Sequence, residues 1–422
     1  MIHVENIILG AGLTGLSAAY SLKKNYIIFE KNSMVGGLTS TEKINNYYFD
    51  HTGHWLHLRN NISKNFVSKI MNNELLNIKR NSKVLFDNSY GDYPFQYNLS
   101  YYSKDFIFKC ISSLFEIKKD IKPKNFKQFC YTNFGKVISD SFILPYNMKL
   151  WGAGGQNLSF EWCNKFFPKP DFDKIIKGAF SKNEYQGYNH TFFYPKKGGI
   201  GDLSIRIANK LDKKKLFLNS KIQSLDYKKK IIYVDGVKYG YKNLISTIPL
   251  IDLISLIKNA PKKVISSKKN LKCTKLRYIN YGIKKKVMNK IQWLYIPNKN
   301  IPFYRIGCSS NAVSYLAPKG CSSIYLEVSN NHNYSNKEII KQARKFLIKN
   351  EIINSVKDIE VEELRVMKYG YVIFDKNYDK SRNDCLTFLE RNNIKSIGRY
   401  GSWIYSSMED AILAGLGIKT KI

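Results

Sequence analysis

The chain contains 422 residues, of which 44% are hydrophobic and 14% aromatic, a composition that supplies a sizeable core and argues against global disorder. Its formal net charge is +35, but the surplus is mostly lysine scattered along the sequence, without a basic helix or an arginine-rich run. This pattern favours a solvated lysine surface, and we expect no nucleic-acid partner.

Only ten of the 68 basic residues are arginines. We therefore expect an arginine in this chain to be used for its planar guanidinium, which can donate two parallel hydrogen bonds, and Arg80, Arg305 and Arg399 are the candidates. The seven cysteines are isolated from one another, which is typical of a reducing compartment. No run of about 18 apolar residues predicts a membrane span, and no basic segment with an apolar stretch precedes the first strand. We therefore expect a cytoplasmic protein.

The first 30 residues predict a strand, a glycine turn, a helix and a second strand. Residues 4–9 are apolar enough for a buried strand, residues 16–24 have helical apolar spacing, and residues 26–29 form a strand that ends at Glu30. The turn has the G-x-G-x-x-G pattern of a dinucleotide site, at Gly10, Gly12 and Gly15. These glycines let the backbone approach a pyrophosphate at the helix N-terminus, and Glu30 would accept hydrogen bonds from a ribose.

The rest of the chain predicts two insertions into this nucleotide domain. Residues 62–185 have a mostly helical pattern, whereas strand-like runs follow at 216–225, 231–234, 244–248 and 276–328. A helix at 336–349, a strand at 360–367 and a helix from residue 408 complete the chain. The predicted fold class is α/β: a Rossmann-like dinucleotide-binding domain (1–90, 186–262 and 371–422) with an inserted helical domain (91–185) and an inserted antiparallel sheet domain (263–370).

A second glycine motif follows Glu30 and includes Lys31, Gly36, Gly37 and Leu38. It resembles the glycine pair of FAD-dependent amine oxidases, protoporphyrinogen oxidases and UDP-galactopyranose mutases, and it favours FAD over NAD as the cofactor. Six further blocks are similar, in the same order, to mutases of the eukaryotic type. They are Asp92-Tyr-Pro-Phe-Gln, Pro145-Tyr-Asn-Met-Lys-Leu-Trp, Tyr194-Pro-Lys-Lys-Gly-Gly-Ile-Gly, Trp293-Leu-Tyr-Ile-Pro, Pro302-Phe-Tyr-Arg and Gly398-Arg-Tyr-Gly-Ser-Trp-Ile-Tyr.

The resemblance, which runs along nearly the whole chain, implies an isomerase that converts UDP-galactopyranose to UDP-galactofuranose for cell-surface polysaccharide. In that family N5 of the reduced flavin attacks the anomeric carbon and expels UDP, and the ring opens and closes as a furanose without net redox change. The implied partner is therefore a small sugar nucleotide. NAD(P)H is a candidate reductant, and a homo-oligomer is left open.

The resemblance also implies roles for individual residues. The implied catalytic and diphosphate-binding residues are His54, Arg305, Tyr295, Tyr371 and Tyr405. The implied substrate-binding residues are Tyr93, Phe95 and Gln96 for uridine, Asn147 and Trp151 for the sugar side, and Asn189. The implied FAD-binding residues are those of the two glycine motifs together with Leu13, Thr14, Gly398, Arg399 and Met408.

Two positions depart from the mutase pattern. The family's second diphosphate-binding arginine corresponds to Phe166, where Lys165 or Lys169 could act only as point charges, and a further phosphate-binding tyrosine corresponds to Ala312. These departures leave the particular sugar nucleotide open. The alternative is an FAD-dependent oxidoreductase with an apolar pocket, acting on an amine, a porphyrinogen or a polyprenyl-type substrate; a scaffold without activity is the third.

A histidine-rich segment follows the second glycine motif, with His51, His54 and His57 close together in the sequence. Their spacing matches no zinc pattern, and no cysteine or acid completes a ligand set, so we expect no metal. His54, in Thr-Gly-His-Trp, is better interpreted as a residue beside the cofactor.

Overall fold

The computed structural model describes residues 1–118, 120–160, 162–163, 170–182, 190–329 and 333–420. Its strands are β1 (Ile2–Leu9), β2 (Tyr26–Phe29), β3 (Thr41–Ile44), β4 (Tyr47–Asp50), β5 (Leu75–Lys79), β6 (Ser82–Phe86), β7 (Ser89–Asp92), β8 (Thr191–Pro195), β9 (Leu216–Phe217), β10 (Ile222–Asp226), β11 (Ile231–Val234), β12 (Val237–Ser246), β13 (Leu276–Ile283), β14 (Trp293–Tyr295), β15 (Phe303–Cys308), β16 (Ser322–Val328), β17 (Ile359–Met367) and β18 (Ile394–Ser396).

The helices of the described ranges are numbered in chain order. They are α1 (Leu13–Leu22), α2 (Asn61–Met71), α3 (Lys104–Phe115), α4 (Phe126–Phe134), α5 (Lys136–Ile138), which continues through a π-helical turn (Ser139–Ile143) into α6 (Leu144–Trp151), α7 (Phe172–Phe180), α8 (Gly201–Ala208), α9 (Leu250–Leu256), α10 (Lys262–Asn270), α11 (Ser309–Ala312), α12 (Asn336–Lys349), α13 (Tyr378–Arg391), α14 (Gly398–Gly401) and α15 (Met408–Leu416). None of them is both long and apolar enough to cross a bilayer.

The first sheet contains the nucleotide turn and has the strand order β10-β11-β12-β1-β2-β9. Its centre is parallel: Ile8 of β1 lies between Ile28 of β2 and Ile245 of β12, and all three are fully buried. A strand buried on both faces requires such an apolar run. β12 pairs with β11 along its first half and with β18 along its second half. The Rossmann-like α/β prediction is confirmed.

The second sheet has the strand order β17-β13-β16-β15-β14-β6-β7, and its pairs are antiparallel except for β14 with β6. Residues directly opposite on neighbouring strands share one face of a sheet. One such row is Tyr278, Glu327, Arg305 and Tyr295. The adjacent row is Ile279, Leu326, Ile306 and Leu294, which belongs to the core shared with α12. One face is therefore polar and the other apolar.

Residues 62–185 are less helical than the sequence predicted, because β5, β6 and β7 lie within them. These strands are only four or five residues long. β5 pairs with β8 and β6 pairs with β14, both distant in the chain, while β7 pairs with its neighbour β6. A short strand with a remote partner has little local signal. The predicted domain boundaries stay predictions, although β6 and β7 meet the second sheet near residue 90.

Helix α6 is attached to the second sheet by a buried lysine. Lys149 is 1% exposed, and its Nζ donates to the carbonyls of Ile296 (2.7 Å), Asn298 (3.0 Å) and Phe303 (2.6 Å). Burial lowers the pKa of this amine well below its ordinary value. Three carbonyls therefore hold the end of the helical region against the loop between β14 and β15.

Candidate active site

The first glycine turn contains two glycines that the protein's own packing requires and one that it does not. A Cβ at Gly15 would lie 1.9 Å from the carbonyl oxygen of Gly10, and a Cβ at Gly10, where φ is +95°, would lie 2.6 Å from Thr247 Oγ1. A Cβ at Gly12 would meet only the carbonyl oxygen of Gly36, at 3.8 Å. Gly12 therefore leaves room for a group that is not part of the chain.

The second glycine motif lies against this turn. The Gly36 N–H donates to the carbonyl of Ala11 (2.8 Å), and a Cβ at Gly37 would lie 3.7 Å from the Cα of Gly12. Helix α1 begins directly after Gly12, and no described side chain caps its first N–H groups. Uncapped N–H groups at the positive end of a helix dipole favour a bound anion. The two loops and α1 therefore fit the pyrophosphate of FAD.

Glu30 has a structural task that the sequence did not predict. Its side chain is 6% exposed; Oε2 accepts from the N–H of Ala11 (2.8 Å) and Oε1 from the N–H of Asn32 (3.0 Å). A carboxylate has about four lone-pair sites, so capacity remains for the predicted ribose hydroxyl. Glu30 thus joins the two loops, while Lys31 beside it is exposed.

The C-terminal motif returns to α1. A Cβ at Gly398, where φ is +81°, would lie 2.5 Å from Thr14 Oγ1, and a Cβ at Gly415 would lie 2.4 Å from the carbonyl of Thr14. α15 begins at Met408 and is capped by the Ser407 side chain. The predicted cofactor residues of the N-terminal and C-terminal motifs are therefore neighbours in space.

A buried ion pair occupies the polar face of the second sheet. Arg305 Nη2 donates to both carboxylate oxygens of Glu327, at 2.6 and 2.9 Å, and to the Tyr371 hydroxyl at 3.4 Å. The Arg305 side chain is 12% exposed and that of Glu327 is 0% exposed. Burial is the largest influence and opposes the charge of Arg305, but Glu327 and the neighbouring tyrosines together raise its pKa well above the ordinary value. Within the described ranges, Arg305 Nε is buried without a hydrogen-bond partner.

Sequence reasoning missed Glu327. The signal was present in the sequence, because this glutamate is the only charged residue of the strand Ser322–Val328, whose other residues are serine, aliphatic residues and one tyrosine. A charged residue in such a run is rarely buried without a partner, and its partner Arg305 had been predicted to bind phosphate instead.

A second guanidinium lies close to Arg305. The guanidinium carbons of Arg80 and Arg305 lie 4.8 and 4.7 Å from the centre of the Trp293 ring. Arg80 Nη2 donates to the Tyr295 hydroxyl at 2.5 Å, and the Tyr295 ring stacks on Tyr93 at 4.6 Å. Arg80 therefore joins the predicted phosphate-binding and uridine-binding tyrosines.

The predicted tyrosines of the C-terminal half form an aromatic group with Trp151. The rings of Tyr371 and Tyr405 lie 5.8 Å apart, and Trp151 lies 5.5 Å from the first and 6.4 Å from the second. The Arg399 guanidinium carbon lies 4.8 Å from the Tyr405 ring, while its Nη1 donates to the carbonyl of Ser406 (2.6 Å). The structure thus brings Arg399 to the same group.

His54 lies close enough to Arg305 and Arg399 for both charges to affect its pKa. A Cβ at the preceding Gly53 would lie 2.4 Å from Trp293 Cζ2, so the backbone of this loop packs directly on the indole. Burial, together with the charges of His51, Arg399 and Arg305, lowers the pKa of His54 to about 3. The imidazole is consequently neutral near pH 7.

The other two histidines of the segment have partners away from His54. His51 shares hydrogen bonds with Ser40 Oγ (2.9 Å) and the Tyr278 hydroxyl (2.7 Å), and His57 bonds to the carbonyl of Thr191 (3.1 Å). In the part of the chain that the structure describes, no group of three or more His, Cys, Asp or Glu residues is placed to hold a metal ion.

Several predicted substrate residues have neighbours typical of a core. Phe95 is 0% exposed and stacks on Phe142 at 4.9 Å, and Gln96 is 4% exposed. Asn147 Oδ1 accepts from Trp151 Nε1 at 3.2 Å. Asn189 lies outside the described residues, as do Phe166, Lys165 and Lys169, whereas Ala312 ends α11. The roles assigned to site residues stay predictions.

Comparison with known proteins defines the class first. Residues 8–70 match the family model of an NAD(P)-binding Rossmann-like domain. A protein of Dictyostelium discoideum described as a flavin-containing monoamine oxidase A is 29% identical over 124 residues, which is 28% of this chain and 27% of that relative. A protein of Exiguobacterium sp. 255-15 described as a protoporphyrinogen oxidase shares the fold (TM-score 0.78, 12% identity, 99% of this chain and 98% of that chain). These similarities fit the FAD-dependent amine oxidase superfamily and support a flavoenzyme.

Within that class, the chain is similar to reduced UDP-galactopyranose mutase. The two structures align with a TM-score of 0.91 and 25% identity, over 98% of this chain and 94% of the other. The predicted resemblance to this mutase is confirmed, and it extends through the nucleotide loops, the helical region and the second sheet.

Proposed function

We propose that the protein is a flavin-dependent sugar-nucleotide mutase that converts UDP-galactopyranose, or a close analogue, to the furanose without net redox change. The observation that carries this proposal is the polar face of the second sheet. Tyr295 and Arg305 lie opposite each other on β14 and β15, and Tyr371 accepts from the same guanidinium. Hydroxyl and guanidinium donors grouped in this way suit a diphosphate.

Each of these residues has a task in the proposed reaction. Tyr295, Tyr371 and Tyr405 bind phosphate oxygens, while Glu327 orients the guanidinium of Arg305, as the two short contacts from Nη2 require. The unpartnered Arg305 Nε is a donor that a ligand can use. Holding the departing diphosphate in place keeps it ready to return to the anomeric carbon after the ring has closed again.

FAD would be held by the two glycine loops and the N-terminus of α1, and in its reduced form it supplies the nucleophile for the anomeric carbon. Neutral His54, which lies near Arg399 and Arg305, can accept or donate one hydrogen bond without adding charge. Trp151, whose indole N–H is held by Asn147, would place an apolar ring on the sugar side and exclude water from it. The product would be a furanose donor for cell-surface polysaccharide, made in the cytoplasm.

The second candidate is an FAD-dependent oxidoreductase that acts on an amine or another neutral or cationic substrate. It is favoured by the neutralisation of Arg305, because a guanidinium paired with buried Glu327 presents little net charge. The aromatic group of Trp151, Tyr371 and Tyr405 also suits an apolar substrate. In the oxidoreductase, one equivalent of an electron acceptor would be consumed for each product molecule.

The test is to incubate the FAD-loaded protein with UDP-galactopyranose, with and without dithionite, and to separate the nucleotides by chromatography. We expect the furanose isomer only with reduced flavin, many turnovers for one reduction, and no consumption of reductant in proportion to product. Anaerobic incubation of amines with the oxidised protein is the parallel arm. Flavin reduction by an amine, together with no furanose, would overturn the mutase and support the oxidoreductase.

A matched pair of variants separates the site from the fold. Tyr371→Phe removes a hydroxyl 3.4 Å from Arg305, whereas Tyr227→Phe removes one from a ring that packs on Phe388 of α13. The first should lower turnover by about 10-fold, in keeping with the loss of one hydrogen bond to a charged group, and the second should not change it.

A further inference from the structure

We propose that Arg80, rather than Arg305, supplies the uncompensated positive charge that selects a diphosphate ligand at this site. The inference deepens the proposed function and rests on it, because the diphosphate is that of the sugar nucleotide. It assigns the specificity for the anion to a residue in the short connection between β5 and β6, whose guanidinium lies over the ring of Trp293.

The charge of Arg305 is already used within the protein. One of its nitrogens contacts both oxygens of Glu327, and the carboxylate has no exposed surface. A ligand that approaches Arg305 therefore meets an ion pair of zero net charge. Such a pair orients its donors well, but its attraction for a distant anion largely cancels.

The charge of Arg80 has no such partner. Among the described residues, no carboxylate lies within 4.0 Å of its guanidinium, whose hydrogen bonds go to the neutral hydroxyls of Ser82 (2.8 Å) and Tyr295 (2.5 Å). The sequence has no arginine between Arg80 and Arg206, so the predicted helical domain 91–185 brings no guanidinium to the site.

Arg80 lies at the edge of a shallow surface groove. The groove is also lined by Trp55, His57, Phe192 and Trp293. Burial lowers the pKa of His57 to about 4, and the charge of Arg80 contributes, so the histidine is neutral and does not compete for the anion. Arg80 can therefore turn between the groove and Tyr295 without losing a salt bridge.

Arg80 reaches the proposed ligand through the tyrosines. Its guanidinium carbon lies 5.2 Å from the ring of Tyr93, which stacks on Tyr295, and Tyr295 is opposite Arg305 on the neighbouring strand. A diphosphate held by the Tyr295 hydroxyl therefore lies next to both guanidiniums. Only that of Arg80 gains a counter-ion when the ligand binds.

The experiment compares the binding of UDP with that of uridine to the FAD-loaded protein, by calorimetry at two ionic strengths. Arg80→Met removes the charge, and Arg80→Gln removes it while keeping a donor for the Tyr295 hydroxyl. We expect both variants to bind UDP about 10- to 100-fold more weakly than the unmodified protein, with uridine affinity unchanged. The salt dependence of UDP binding should become weaker in both, and Arg80→Lys should recover part of the affinity.

The control is Arg344→Met on α12, which removes the same charge from an ion pair with Glu362 outside the site and should leave UDP affinity unchanged. If the unmodified protein prefers UDP and both neutral Arg80 variants keep that preference, the assignment of Arg80 is wrong while the sugar-nucleotide proposal stands. If the unmodified protein binds UDP no more tightly than uridine, the sugar-nucleotide proposal is overturned, and Arg80 with it. FAD content and melting temperature report whether each variant folds.

Discussion

The two ends of the candidate site are built in different ways. At the nucleotide end, the two glycine motifs expose backbone atoms to the ligand, and the site depends on the absence of side chains. A Cβ at Gly12 would enter free space, whereas a Cβ at Gly15 would lie 1.9 Å from a backbone oxygen. At the substrate end, charged and aromatic side chains project from strands of one sheet, and what matters is how their charges cancel, as in Arg305 with Glu327.

This difference has a physical consequence for specificity. A site made from backbone N–H groups and a helix N-terminus recognises a pyrophosphate through fixed geometry, and it tolerates almost no added atoms. A site made from side chains can change its ligand by the loss or gain of a single charge. The cofactor end is therefore expected to be constant in chemistry, and the substrate end adjustable.

The largest effect is expected when side chains are added at the nucleotide end. Gly12→Val should abolish FAD binding and leave the apoprotein about as stable as before, because the added Cβ would meet only the carbonyl oxygen of Gly36, at 3.8 Å. Gly15→Ala should lose both FAD and stability, since its methyl must displace the Gly10 carbonyl. Flavin absorbance after gel filtration and thermal melting of the apoproteins measure the two effects.

Equal destabilisation of the two apoproteins would show that Gly12 is also required by internal packing. Normal flavin loading in Gly12→Val would contradict the placement of the pyrophosphate at this turn.

The next largest effect is expected at the buried pair of the substrate end. Arg305→Ala leaves the carboxylate of Glu327 buried and uncompensated, which should cost about 3–5 kcal/mol in the free energy of unfolding. The double variant Arg305→Met with Glu327→Leu should recover most of that loss, because two apolar side chains replace both charges. Urea unfolding of the FAD-loaded proteins at pH 7 measures the difference.

A loss below about 1 kcal/mol in Arg305→Ala would mean that the pair behaves as an exposed salt bridge, and that Glu327 does not neutralise Arg305 as its burial indicates.

The smallest expected effect is the pH dependence of the unfolding free energy that comes from His54. The folded-state pKa of His54 is about 3, below the ordinary 6.5, so between these values the unfolded chain binds a proton that the folded protein excludes. Stability from this group is therefore complete above about pH 6.5 and is lost as the pH falls toward 3. The loss should be about 3 kcal/mol after allowance for its partial exposure, and His54→Asn should remove it.

Unfolding free energies measured from pH 7 to pH 4 test this prediction, with substitution of the exposed His3 by Asn as the control. An identical pH profile for His54→Asn and the unmodified protein would contradict the low pKa, and with it the close packing of His54 on the positively charged side of the site.

The sequence by itself determined the nucleotide end. The βαβ unit, the glycines and Glu30 lie within the first 37 residues, so their contacts are set by short connections and by the local geometry of a turn. The helix Asn336–Lys349, which has apolar periodicity, was predicted at about 336 to 349 for the same reason. The resemblance to the mutases came from six separate motifs in order, and the tertiary structure confirmed it.

Only the tertiary structure decided the electrostatics of the substrate end. Arg80, Tyr295, Arg305, Glu327 and Tyr371 come from segments far apart in the chain, and the register of two antiparallel strand pairs places Glu327 opposite Arg305 and Arg305 opposite Tyr295. A one-residue change in that register would turn the glutamate to the other face. Register depends on long-range strand pairing, which leaves no mark on local periodicity. For that reason the sequence indicated which arginines to examine, but only the fold showed that Arg305 is paired with a buried carboxylate.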